Sequence, residues 1–276
     1  MIEIKSILQE FSIKMEGMTR EEQVSELNRL DVESYNEKAG NMDLIDGIHC
    51  STCNNKGWVK VIVDDCVKVR RCGCIERRKS CMNAKKSGLG EYLDKTLADY
   101  TASEPWQEYC YSMVDKFIRD HSKDNVWFLA LGQSGCGKTL MCSIIANWLL
   151  FVAKREVVYL TWTDFIGQLK RDMMGEKTNE VSTYLDRIKK VDVLFIDEML
   201  KKYNDTDLKY LIEIINYRYT NNLKTIITSE NVVEKLLDID EATFGRAIEK
   251  CESFLINIPK DRKKNYRLKG FRREDI

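Results

Sequence analysis

Residues 129–150, LALGQSGCGKTLMCSIIANWLL, decide the fold. Three glycines within six residues, then a lysine, are poor material for an ordinary helix, yet a helical apolar pattern starts directly behind them. Gly132-Gln133-Ser134-Gly135-Cys136-Gly137-Lys138-Thr139 fits G-x-x-x-x-G-K-[ST], a phosphate-binding loop. The run VWFLAL at 126–131 has strand character, and TLMCSIIANWLLF behind the loop reads as a buried helix. The glycines let successive backbone N–H groups turn inward around a β-phosphate, and the helix adds the positive end of its dipole. Lys138 is then expected to reach the β- and γ-phosphates, and the Thr139 hydroxyl to hold Mg²⁺.

With 276 residues, the chain is long enough for one good-sized core and a smaller appendage. Its 43% hydrophobic content is that of a globular protein. Lysines and arginines number 44, aspartates and glutamates 44, so no global field attracts nucleic acid and any such contact must use local patches. Two prolines and 14 glycines predict a helix-rich fold with few long loops. No apolar stretch is long enough for a membrane span, and the start MIEIKSILQEFSIKMEG lacks a signal-peptide layout. A cytoplasmic protein is expected, with its ten cysteines reduced or metal-bound. The only histidines, His49 and His121, argue against histidine-based hydrolysis or a multi-histidine metal site.

Residues 1 to about 45 read as two helices, the second opening on the capping box Thr19-Arg20-Glu21-Glu22. Val24, Leu27 and Leu30 share one face of it, suited either to internal packing or to a partner. Next, Cys50 and Cys53 form C-x-x-C, and Cys72 and Cys74 form C-x-C. Between the pairs, WVKVIV and VKVRR alternate as a hairpin with Asp64-Asp65 at its turn. The hairpin brings both pairs to its base, placing four thiolates for a closed, structural Zn²⁺. By spacing, Cys66 and Cys81 are spare and His49 is an outside candidate. A basic helix follows, with Arg77, Arg78, Lys79, Lys85 and Lys86, ending near Gly88; it reads as a solvated linker, with a nucleic-acid contact as the weaker alternative.

Beyond the phosphate loop, strand and helix patterns alternate. EVVYLTW, VDVLFIDE, KTIITSE and SFLINI are strands. TDFIGQLKRDMM, DTDLKYLIEIINYRYTN and EATFGRAIEKC are helices, and another runs from Trp106 to Asp120 before the loop. Such a series makes a parallel α/β sheet. VDVLFIDE is apolar throughout, as in a strand covered on both faces, so Asp197-Glu198 lands at its carboxyl edge, where open α/β sheets bind ligands. Asp197 is expected to support Mg²⁺, and Glu198 to polarise the water that attacks the γ-phosphate.

Together these motifs resemble the AAA+ ATPases of the bacterial helicase-loader group, the DnaC/DnaI type and its phage relatives, with IstB-type transposition helpers as cousins. The resemblance spans nearly the whole chain. It runs through the cysteine module, WFLALGQSGCGKT, VLFIDEMLK, DTDLKYLIEIINYRYTNNLKTIITSE and LLDIDEATFGRAIEKC to the closing KKNYRLKG. It implies a P-loop NTPase sheet of strand order 5-1-4-3-2, ATP hydrolysis, self-association through AAA+ interfaces and assembly on a hexameric replicative helicase. It also implies an N-terminal module that grips the helicase and an AAA+ module that contacts single-stranded DNA. By position, Arg246 matches the arginine finger that stabilises γ-phosphate charge in a neighbouring subunit. The sensor position falls in Thr228-Ser229-Glu230, where Glu230, followed by Asn231, replaces the family's frequent asparagine. Arg267 is a candidate second sensor. The expected layout is a helical segment at 1–47, a zinc module with its basic linker at 48–90, and the ATPase domain at 91–276.

Three functions compete: a helicase loader, a transposition helper that binds duplex DNA and a transposase, and a nucleotide-binding adaptor with little turnover. The zinc module favours the loader, and the Asp197-Glu198 pair counts against the adaptor.

Overall fold

The Thr19 box starts the first described helix as the sequence predicts: Glu22 accepts from the Thr19 N–H at 2.7 Å, and the Thr19 hydroxyl accepts from the Glu22 N–H at 3.3 Å. The computed structural model describes residues 17–86, 88–121, 124–174 and 178–268. The other expected N-terminal helix falls on residues 1–16, outside them. The chain divides into two compact units, Met1–Arg78 and Lys79–Ile276.

In the first unit, α1 (Arg20–Glu37) is followed by the short α2 (Met42–Asp46) and a hairpin of β1 (Trp58–Val63) and β2 (Cys66–Arg71). Asp64 and Asp65 both take left-handed backbone, φ 52° and 57°. That is the pattern of a type I′ turn, whose twist matches the paired strands. The free edge of β1 is covered by α1. Asn36 exchanges hydrogen bonds with the Lys60 carbonyl (2.9 Å) and N–H (3.0 Å), and Lys60 pairs with Asp31 at 2.7 Å. Val24 and Leu27 on α1 nonetheless stay about half exposed, at 49% and 47%. The basic helix is α3 (Cys74–Lys86), and the division between units falls within it.

The second unit begins with α4 (Pro105–Asp120), β3 (Phe128–Gly132) and α5 (Lys138–Phe151). Next come β4 (Val157–Thr161), α6 (Trp162–Met174), α7 (Thr178–Lys190) and β5 (Val193–Met199). The chain continues through α8 (Asp205–Thr220), β6 (Lys224–Ser229), α9 (Val233–Ile239), α10 (Glu241–Cys251) and β7 (Leu255–Ile258). The five strands are parallel in the order β4-β5-β6-β3-β7. Numbered within the unit this is 2-3-4-1-5, the predicted order read from the other edge. After β3 the chain crosses to the far edge of the sheet, so a crevice opens at the carboxyl ends of β3, β6 and β5. The core is the apolar strand interior, with Phe128, Leu129, Phe195, Ile196, Ile226 and Ile227 all essentially inaccessible.

Two helices, α7 and α9, have no counterpart in the sequence reading. The basic helix is not simply a solvated linker, since its Arg78 is buried, as are Ser80, Cys81 and Ala84. Arg218 and Lys224 are charged side chains buried in the second unit. The Arg218 guanidinium donates to the carbonyls of Val191 (2.8 Å), Lys189 (3.0 Å) and Lys224. Burial pushes it down to about 9 from its usual range. Lys224 donates to the His121 and Val126 carbonyls at 2.9 and 2.7 Å and lies over the Phe117 ring; burial lowers it to about 8. Both close the amino-terminal end of the sheet, opposite the crevice. Among the described residues no helix is long and apolar enough to cross a membrane.

Candidate nucleotide site and candidate metal centre

Gly132 and Gly135 carry the loop through backbone that only glycine takes readily, at φ 137° and 76°. A side-chain carbon at Gly132 would come within 2.5 Å of the Ile258 carbonyl oxygen, and one at Gly135 would collide with the Asn265 amide. The lysine of the motif is 8% exposed and donates to the Gln133 carbonyl at 2.7 Å. Its ammonium is therefore held inside the loop.

The acidic pair reaches the same place from the next strand but one. The Thr139 hydroxyl donates to Asp197 at 3.0 Å, and the Thr228 hydroxyl to the same carboxylate at 2.5 Å. Burial pushes the Asp197 carboxyl up from its ordinary value, against the two hydroxyls that favour its charged form. A hard divalent cation would satisfy such an oxygen-only, buried acidic donor set. Glu198 is more open, its side chain 32% exposed, and pairs with Lys201 at 2.6 Å. A cleft of about 300 Å³ joins these groups, lined by the loop from Ser134 to Leu140 with Glu198, Thr228 and Glu230.

Two further walls close that cleft, of which the sequence reading named only Arg267. One comes from ahead of the sheet: Tyr92, Asp99, Tyr100 and Thr101. Asn147 of α5 fixes this segment by donating to the carbonyls of Tyr92 (2.5 Å) and Lys95 (3.0 Å). The only hint was an asparagine inside an otherwise apolar helix. The other wall is the segment after β7. Gln133 exchanges two hydrogen bonds with the Asp261 backbone, at 2.6 and 2.7 Å, and the Tyr266 N–H donates to the Gly135 carbonyl at 2.8 Å. Arg267 donates to the Ser134 hydroxyl at 3.1 Å, so this second-sensor candidate lies in the cleft. Of the sensor residues, Thr228 binds Asp197 while Glu230 is exposed at the cleft. Asn231 is buried, with its amide 3.5 Å from the Leu200 carbonyl.

Arg246 is not in this cleft. It sits exposed on α10, donating to the Asn216 side chain at 2.7 Å, with its guanidinium over Tyr219.

In the first unit, Cys50, Cys53, Cys72 and Cys74 converge as predicted, their sulfurs all within 4.8 Å of one another. Cys50 and Cys72 are 3.7 Å apart, and Cys53 and Cys74 3.6 Å. Zinc–sulfur bonds of about 2.3 Å set tetrahedral sulfurs about 3.8 Å apart, so four buried thiols at this spacing fit the ion. The surroundings brace the cluster: the Gly57 N–H donates to the Cys53 sulfur at 3.2 Å, and Asn55 accepts from the Cys50 N–H at 2.7 Å. Arg78, buried, donates to Asp46 and to the Ile48 carbonyl. Cys66 is exposed and His49 turns to Asn55, so neither belongs to the cluster; Cys81 is buried in the other unit.

Residues 128–247 match the AAA family, the "ATPase family associated with various cellular activities". YqaM of Bacillus subtilis (strain 168) is 29% identical over 214 residues, which cover 72% of this chain and 66% of that protein. The phage-like element PBSX protein XkdC of the same organism is 29% identical over 241 residues, 81% of this chain and 87% of XkdC. The replicative helicase loader DnaC of Buchnera aphidicola subsp. Schizaphis graminum is 24% identical over 132 residues, 48% of this chain. The chain thus spans just under two thirds of YqaM and about half of that DnaC.

Proposed function

The chain carries an AAA-family ATPase domain, and from that premise we propose that it is an ATP-governed loader of a hexameric replicative helicase onto single-stranded DNA in DNA replication. One observation carries the proposal: a cleft that gathers the phosphate loop and Glu198 stands in one chain with a separate four-thiol module. The similarity to a curated loader supports it. The module is assigned to gripping the helicase, and the ATPase core to contacting DNA. A transposition helper would need the core but gives the four-thiol module no task.

Lys138 would leave the Gln133 carbonyl for the β- and γ-phosphates, while the loop N–H groups surround the β-phosphate. Thr139 and Asp197 would hold Mg²⁺, which neutralises charge on the β- and γ-oxygens. Glu198 would polarise the attacking water, and ADP would leave with the electrons of the broken bond. Arg246 lies outside its own cleft, and that position suits it to complete the cleft of a neighbouring copy. Zinc in the four-cysteine cluster would hold the first unit folded and take no part in hydrolysis.

Lys138→Ala tests the nucleotide assignment. Loss of one charged donor to phosphate is expected to weaken ATP binding roughly tenfold to a hundredfold. The thermal midpoint should stay near wild type, because among the described residues the lysine's hydrogen-bond acceptors are in its own loop. ATP titration of the folded variant with unchanged affinity would remove the loop from the mechanism.

A further inference from the structure

The end of β5 is irregular. Its register against β6 shifts between Ile196 and Met199, and two non-glycine residues, Glu198 and Leu200, take left-handed backbone at φ 55° and 59°. Backbone of this kind costs free energy and persists only where its surroundings hold it. Here they do. The Glu198 N–H donates to the Thr228 hydroxyl at 2.9 Å, and the Lys201 N–H to the Glu198 carbonyl at 3.1 Å. The Ser229 hydroxyl donates to the Met199 carbonyl at 2.7 Å. The product of this turn is one contact: the Lys201 ammonium on the Glu198 carboxylate at 2.6 Å.

We propose that Lys201 is a positioning residue that restrains Glu198 in the resting chain, so that turnover requires the ammonium to be drawn away. This rests on Glu198 as the water-polarising group. A carboxylate engaged by an ammonium is a poorer acceptor for a water proton, and its direction is fixed toward the lysine. The pair can open, because the Lys201 side chain is 38% exposed. Glu230 lines the same cleft as Glu198, and its charge adds to that of Glu198 in strengthening Lys201's hold on its proton.

The test is ATP turnover at saturating ATP and Mg²⁺ with no DNA or partner. Exposed ion pairs are weak, so Lys201→Met is expected to raise kcat only about two- to fivefold, with KM unchanged. Lys201→Arg, which keeps the cation, should stay at the slow wild-type rate. Raising ionic strength screens the pair and should raise wild-type kcat but not that of Lys201→Met, a difference a merely structural lysine would not produce. A folded Lys201→Met protein with kcat at or below wild type overturns the restraint. Glu198→Gln separates the two claims. If it turns over ATP normally, the role of Glu198 falls and the restraint with it. If it is inert while Lys201→Met matches wild type, the restraint alone falls.

Discussion

Chelation of zinc is expected to unfold residues 48–75 while ATP affinity stays at its original value. The reason is the poverty of apolar packing in the first unit. No described residue of α1 is buried, and on the hairpin Trp58, Ile62 and Val69 are 43%, 42% and 55% exposed. The buried cluster is the four cysteines themselves, with Val59 packed against them. Metal-binding free energy in such a module is its folding free energy, about 10–16 kcal/mol in small zinc domains. Hydrogen exchange of the hairpin amides with and without chelator, beside an ATP titration, reads both units at once. A hairpin still protected without metal, or a protein purified under reducing conditions with no zinc, contradicts the metal assignment.

Arg246→Ala is expected to bind ATP as the wild type does and to lose stimulated hydrolysis. Within one chain, Lys138, Thr139, Asp197 and Glu198 meet around the cleft, whereas Arg246 stands exposed on α10 beside Asn216. On the proposed reading, this guanidinium acts on a neighbour's phosphates and stabilises charge that develops in the transition state. Arginine fingers contribute about 10³–10⁵ in rate. Mixing Arg246→Ala with Lys138→Ala protein should restore part of the activity, because one chain offers a sound cleft and the other a sound arginine. Stimulated turnover that survives in Arg246→Ala would make the residue an ordinary surface arginine held by Asn216 and Tyr219.

What the sequence reveals about this site is what short-range pattern encodes. The glycine loop, the apolar strand ending at Asp197-Glu198 and the two cysteine pairs each carry their chemistry within a few residues. The strand order followed from the resemblance, and the sheet has it. The cleft walls depend instead on contacts between distant segments. Gln133 meets Asp261 across 128 residues, and no periodicity marks either end of that contact. The contact of Asn147 with the Tyr92 and Lys95 carbonyls shows in the sequence only as a polar residue within an apolar run. Arg218 and Lys224 carry no sequence sign of burial, because charge normally predicts exposure; their burial depends on carbonyl groups that converge only once strands and helices are assembled. The irregular turn from Glu198 to Lys201 has no sequence signal either, since neither left-handed residue is glycine or asparagine.

The most direct measurement is size-exclusion chromatography of the protein with a hexameric replicative helicase, with and without ATP, beside Lys138→Ala. Co-elution that depends on the nucleotide state for the wild type, and does not respond to ATP in Lys138→Ala, is the predicted result. Separate elution from every replicative helicase tried in both nucleotide states would contradict the loader.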